Sequence, residues 1–400
     1  MVRESTTGEG AVSEFPHVRV EGSARERGRQ YGEIARDRVR ASIDAYRDVF
    51  SHYAGLGWMT VQGQSRRYLS AIEAFGHSYV LEMRGIAEGA DVDFEDVLAI
   101  NTRTEIMFAA KARAAQEAGR MPAECTSFGV LPEASASGHT LVGQNWDWLP
   151  HSFDTCIVLE VRQDEGPDFV TIVEAGLLAK TGMNSSGVGV CANALVSDAD
   201  LGTPGIPFHL VLRGLLDAEN LSDALTVTQQ GFRSSSGNYV LAHQDGIAVS
   251  VEAAPGDFSR LFLLFPEKGI LLHTNHFLAG GYDGKDVGLW VMPDSPFRLE
   301  RIRSAVADVG GRVSLDTFRE ALADHANYPS GVCCHPDERF DVYEQGATVA
   351  SILMDLDERR MWLSDGQPCT FPYRELDYSA FLSKPSPIRP AAQRPSTVRV

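Results

Sequence analysis

Cys125-Thr126-Ser127-Phe128-Gly129-Val130-Leu131-Pro132 is answered, across the polar loop 133–139, by Thr140-Leu141-Val142-Gly143-Gln144-Asn145-Trp146-Asp147-Trp148. Both stretches are rich in β-branched and aromatic residues, and the loop between them holds Ser135, Ser137 and Gly138. That pattern predicts an antiparallel hairpin over 126–131 and 140–146. Placing Leu131 opposite Leu141 sets Cys125 opposite Asp147. Directly paired residues have Cβ atoms about 4.5–5.5 Å apart. The expectation is therefore a thiol with a carboxylate beside it, subject to a register in which one slip changes every facing.

The texture of the chain changes at this point. Upstream, Tyr31, Ile34, Ala35, Val39, Ile43, Tyr46 and Val49 recur at helical spacing, as do Tyr68, Leu69, Ile72, Phe75, Tyr79, Met83 and Ile86. Asp93 reads as the N-cap of a further helix through Val97, Leu98 and Ile100. Downstream, strand-like runs dominate: 156–161, 169–174, 188–192, 239–243, 247–252, 261–265, 270–274, 348–355 and 360–363. Helical patterns fall at 208–216, 222–230, 296–307 and 315–324. The boundaries expected are a flexible leader at 1–16, a helical segment at 17–124, a catalytic core at 125–385 and a tail at 386–400. This order points to α/β layers with antiparallel sheets and helices packed outside.

Composition limits the function. The 36 basic and 54 acidic residues give a net charge of −18, which argues against a nucleic-acid partner because phosphate binding needs a basic surface. No apolar run reaches the ~18 residues of a membrane helix, so no membrane partner is expected. The polar first fifteen residues lack the apolar core of a secretory signal. The six cysteines (Cys125, Cys156, Cys191, Cys333, Cys334 and Cys369) form no CxxC pair. They read as free thiols of a cytoplasmic protein.

Cys125-Thr126-Ser127-Phe128 followed by Gly143-Gln144-Asn145-Trp146-Asp147 resembles the signature of the acyl-CoA:6-aminopenicillanic acid acyltransferase family. Asn101-Thr102-Arg103-Thr104-Glu105 resembles the family's pro-segment, and His273-Thr274-Asn275-His276 its TNH segment. The likeness runs from Val18 to about Asp365. It implies a four-layer αββα sandwich of the N-terminal nucleophile hydrolase kind, made as a precursor that cuts itself between Glu124 and Cys125. The two pieces, 1–124 and 125–400, would stay associated. The resemblance implies that Cys125 is the nucleophile, that Asn275 stabilises the oxyanion, and that Asp147 is catalytic. Asn145, Trp146, Arg103, Glu105 and His276 would contact the substrate or support the site.

Elementary chemistry agrees with such a nucleophile. An α-amine titrates near 7.7–8.0 and a thiol near 8.5. A cysteine that carries its own free amine therefore needs no separate histidine. The expected substrates are small linear amides or N-acyl compounds, with no cofactor. The alternatives are a CoA-dependent amine acyltransferase and a catalytically silent binding protein.

Two departures from the family pattern stand out. Cys334 occupies the place of a family arginine, so another cation must serve or the charge is dispensable. Glu124 replaces a glycine before the cut. Cys333-Cys334-His335 with His325 does not read as a metal centre, because adjacent cysteines make poor zinc ligands. His209, His243 and His273 read as structural histidines, and Gly182–Gly189 as a hairpin turn rather than a phosphate cradle.

Overall fold

The computed structural model describes residues 14–114, 125–307 and 309–383. Glu124, most of the expected leader and the expected tail lie outside the described residues. The described residues include the strands β1 (His17–Gly22), β2 (Cys125–Val130), β3 (Leu141–Trp148), β4 (Cys156–Gln163), β5 (Phe169–Glu174), β6 (Thr181–Asn184), β7 (Val188–Ala194), β8 (Gly237–His243), β9 (Ile247–Ala253), β10 (Leu261–Leu264), β11 (Ile270–His273), β12 (Ala347–Asp355), β13 (Arg360–Ser364) and β14 (Arg374–Asp377). They form an eight-stranded sheet ordered β1-β4-β5-β6-β7-β8-β9-β10 and a six-stranded sheet ordered β11-β2-β3-β12-β13-β14.

The two sheets pack face to face, with β2 against β7 and β8 and β3 against β7. Gln144 on β3 accepts the Ala192 N–H of β7 at 2.7 Å, which ties the sheets across their interface. On the outer face of the smaller sheet, Phe128, Val130, Leu141 and Leu353 meet Ile302, Phe318 and Leu322. Those last three come from helices Ser295–Ala307 and Leu315–Leu322. The rings of Phe128 and Phe318 stack with centroids 3.6 Å apart. Helices Phe208–Leu216 and Leu221–Gln229 cover the larger sheet at β6, β7 and β8. This is the four-layer arrangement expected.

Three expectations are corrected. The segment upstream of Cys125 is not helical throughout: β1 joins the larger sheet parallel to β4. Its Val18 and Val20 alternate with exposed neighbours, a period-two signal too short to outweigh the helices after it. Phe15, placed in the leader, is buried, and its N–H donates to Asp365 Oδ1 at 3.0 Å. The hairpin register also slips by one residue. Val130 pairs with Leu141, and Cys125 pairs with Trp146. The ladder stops at Val130 because Leu131 turns away, giving its N–H to Gly269 O, and Pro132 has no N–H to donate.

The N-cap expected at Asp93 is present, and Asp96 makes it a capping box. Helices Ala24–Ile34 and His77–Ala90 cross so closely that a Cβ at Gly28 would stand 2.1 Å from Glu82 O. Only glycine fits there.

Candidate active site

Cys125 is the first residue of β2. Its register with Trp146 puts its side chain on the face turned toward the larger sheet, since side chains alternate along a strand. There it lines a narrow cavity with Trp146, Trp148, Lys180, Phe208 and His209. The Asp147 carboxylate belongs to the opposite face. It accepts the Thr348 hydroxyl at 2.6 Å, and Thr348 in turn accepts the Cys334 N–H at 2.9 Å. What Asp147 presents to the sulfur is its backbone N–H.

Cys125 is held at both ends of its backbone. Its nitrogen lies 2.7 Å from Asn275 Oδ1. Its carbonyl accepts from Asn193 Nδ2 at 3.1 Å and from Arg298 Nη1 at 2.9 Å. Arg298 also reaches Asn275 Oδ1 at 3.0 Å and Thr126 Oγ1 at 3.1 Å, and pairs with Asp294 at 2.7 Å. Asn275 Nδ2 donates to Ala194 O at 2.9 Å. His276 lies behind this group, its Nδ1 2.8 Å from Ser295 Oγ, and Ser295 Oγ also accepts the Asn275 N–H. Asn145 faces away from the cavity and ties the carbonyls of Leu322 and Val332.

The electrostatics follow from burial. Removal from water pushes the Cys125 thiol up to about 11, against a pull from the Lys180 charge. Burial likewise raises Asp147 to about 7, opposed by Arg298 and by the Thr348 hydrogen bond. Lys180, buried with its ammonium 4.3 Å from the centre of the Trp146 ring, falls to about 8. His209 is held well below the usual imidazole range, first by burial and then by Arg103 and Lys180. A neutral ring therefore stands in the cavity wall.

Arg103 does not pair chiefly with its neighbour Glu105. It meets Glu174 Oε2 at 2.5 Å and covers the Trp148 ring at 4.4 Å. Glu174 also accepts from Tyr46 at 2.7 Å and Ser152 at 3.0 Å. Burial is the largest single influence and would raise this carboxyl, but the Arg103 charge, His151 and the Tyr46 hydroxyl together outweigh it and hold Glu174 far below the usual carboxylate range. Glu105 accepts the Phe208 N–H and the Ser235 hydroxyl, and burial raises it to about 6. Asn101 bonds Gly176 O and the Leu178 N–H. Three side chains from before the expected cut thus anchor into the chain after it.

Sequence reasoning missed Arg298, Lys180 and Asn193. Each carried a signal. Asp294 and Arg298 stand one helical turn apart, and Lys180 is a lone charge in the apolar run Ala175–Ala179. Asn193 sits in an otherwise apolar strand, and a polar side chain buried there needs partners.

The family model for acyl-coenzyme A:6-aminopenicillanic acid acyl-transferase matches residues 134–369, more than half of the chain. This chain belongs to that family. The match takes in Asp147 and Asn275 and begins at residue 134, after Cys125. A curated member of the family, the acyl-coenzyme A:6-aminopenicillanic-acid-acyltransferase 40 kDa form of Emericella nidulans, is 27% identical over 357 residues, covering 88% of this chain and 93% of that protein. Among solved structures, a variant of conjugated bile acid hydrolase from Clostridium perfringens is 14% identical with a TM-score of 0.46 over 65% of this chain and 94% of that one. Penicillin V acylase from Agrobacterium tumefaciens is 14% identical with a TM-score of 0.39, over 65% and 88%. The family resemblance carried by the Cys125 and Gly143–Asp147 segments is borne out. No helix among the described residues is long and apolar enough to cross a membrane.

Proposed function

We propose that this protein cuts its own chain between Glu124 and Cys125, and that Cys125 then cleaves small linear amides through an acyl-enzyme. The observation that carries this is the position of Cys125: first in its strand, sulfur in the cavity wall, nitrogen 2.7 Å from Asn275 Oδ1. In the uncut chain that nitrogen is an amide and the thiol stands near 11, a poor nucleophile at neutral pH. Cleavage turns the nitrogen into an amine with an ordinary pKa of about 7.7–8.0, able to take the thiol proton.

The sulfur then attacks the amide carbon and forms a C–S bond. Asn275 and neighbouring N–H groups stabilise the oxyanion. The C–N bond breaks, and the leaving amine takes the proton held by the Cys125 ammonium. Water attacks the thioester and gives a proton to the Cys125 amine, and the C–S bond breaks to release the acid and restore the thiolate beside the Cys125 ammonium. Asp147 and Arg298 set the local charge, and Trp146, Trp148 and Phe208 receive the acyl group. The pieces 1–124 and 125–400 remain together through Asn101, Arg103 and Glu105. All six cysteines are free thiols, which suits a reducing cytoplasm.

Transfer from acyl-CoA to an amine is the second reading, favoured by the acyltransferase name of the Emericella relative. Feeding acyl-CoA with amine acceptors, against N-acyl amides in water, separates the two. The central test is N-terminal sequencing of the larger fragment from active material. The expected start is Cys-Thr-Ser-Phe, with Cys125→Ala remaining one uncut band; normal processing in that variant ends the proposal.

A further inference from the structure

Away from the cavity, four ligand-bearing side chains converge near the surface: His325, Cys333, His335 and Cys369. Their ligand atoms all lie within 4.8 Å of one another. Cys333 Sγ is 3.6 Å from Cys369 Sγ and 3.5 Å from His335 Nε2. His335 Nε2 is 3.4 Å from Cys369 Sγ and 3.1 Å from His325 Nε2. A tetrahedral zinc ion with bonds of about 2.3 Å to sulfur and about 2.0 Å to nitrogen spaces its ligands about 3.8 Å apart for S–S, about 3.5 Å for S–N and about 3.3 Å for N–N. Four of the six separations fall within about 0.2 Å of that pattern, and the two between His325 and the thiols lie within 4.8 Å.

We propose that His325, Cys333, His335 and Cys369 form a structural zinc site. Soft thiolates with imidazoles in tetrahedral array select zinc over the harder divalent ions. Four protein ligands leave no open position, so the site is structural rather than catalytic. Binding displaces the two thiol protons to solvent and leaves both imidazoles neutral. The adjacency that argued against zinc in the sequence does not apply, because only one of the adjacent cysteines takes part. Cys334 turns away, its sulfur 3.5 Å from Gly346 O. The ligand that the sequence reading lacked is Cys369, across β12 and β13, while His325 lies eight positions before Cys333.

Without an ion the cluster has little to hold it, since S–H is a weak donor and two imidazole nitrogens in contact share at most one proton. With zinc it clips the loop 325–335 to the turn 366–371. That loop supplies Val332 O to Asn145, and Cys334 N–H to the Thr348 hydroxyl that bonds Asp147. The clip therefore braces the side of the active site opposite the cavity.

The test is zinc content of the full chain, purified without a metal-affinity tag from zinc-supplemented, reduced cells and measured by mass spectrometry. The expected result is about one zinc per chain, falling below about a tenth in Cys333→Ser/Cys369→Ser. His325→Ala, which alters an exposed side chain, is expected to lose zinc to a chelator at least about tenfold faster. Cobalt(II) added to the zinc-free protein should give thiolate-to-metal charge transfer and the visible bands of a tetrahedral ion. Wild-type protein with no more zinc than the double variant, no cobalt spectrum, or a Cys333–Cys369 disulfide in reduced cells would each overturn the site. None of these readouts depends on self-cleavage or turnover.

Discussion

Arg298 and Cys125 are joined through the backbone: the guanidinium donates to the Cys125 carbonyl at 2.9 Å and, with its other nitrogen, to the Asn275 Oδ1 that receives the Cys125 N–H. One buried cation thus orients both the residue that is to react and the amide that holds it. It comes from the helix Ser295–Ala307, not from the position of Cys334 where the family pattern places an arginine. Arg298→Ala removes a buried ion pair with Asp294, a loss of about 3–5 kcal/mol. Arg298→Lys keeps the charge but loses the fork. The lysine variant is expected to fold and to cleave itself at least about tenfold more slowly, as read from the two-band ratio on a denaturing gel over time.

Asn275 has a testable part in the same geometry. Asn275→Ala deletes the acceptor of the Cys125 nitrogen and, on the proposed function, an oxyanion donor as well. Loss of one such donor commonly lowers kcat about 10²–10³-fold. A comparable fall is expected in turnover of N-acyl amides by mature protein. A variant with unchanged turnover would remove Asn275 from the reaction.

Asp147 gives a pH signature. Burial raises its carboxyl from 3.8 to about 7, so the folded state holds this proton more tightly than the unfolded chain. Below about pH 4 both states are protonated and burial carries no ionisation penalty. As pH rises toward 7 the unfolded chain ionises first, and the folded protein loses stability on the order of 4 kcal/mol. Asp147→Asn carries no such proton. Its urea midpoint should improve relative to wild type between pH 4 and pH 8. A gap independent of pH would contradict the buried-carboxyl account.

The Lys180 charge draws the Cys125 thiol downward. Lys180→Met should raise the thiol and move the pH profile of self-cleavage to the alkaline side. At pH 7 the cut should slow roughly tenfold, the worth of one pKa unit. An unshifted profile with a uniformly lower rate would assign Lys180 to packing against Trp146 instead.

The Arg103–Glu174 pair joins the chain before Cys125 to the chain after it. Glu174→Gln leaves Arg103 buried without its counter-charge. The two fragments are expected to separate more readily on dilution, their association weakened by about 3–5 kcal/mol. Size-exclusion chromatography of cleaved protein at falling concentration measures this.

The elements of this fold were legible along the chain. The strand Phe169–Glu174 and the helix Phe208–Leu216 run where their residue patterns end them, because period and turn chemistry are local properties. Cys125, Asp147 and Asn275 were marked by the resemblance of their segments to the family signature, not by local pattern alone. Only the tertiary structure decided which of them face each other. A single pairing step at Pro132 sends the Asp147 carboxylate away from the sulfur, and Arg298, Lys180 and Asn193 arrive from segments that no spacing rule connects to Cys125. Facing depends on register, and burial on layers closing from distant parts of the chain. The charges that set the reactivity of Cys125 therefore exist only once the four layers have met.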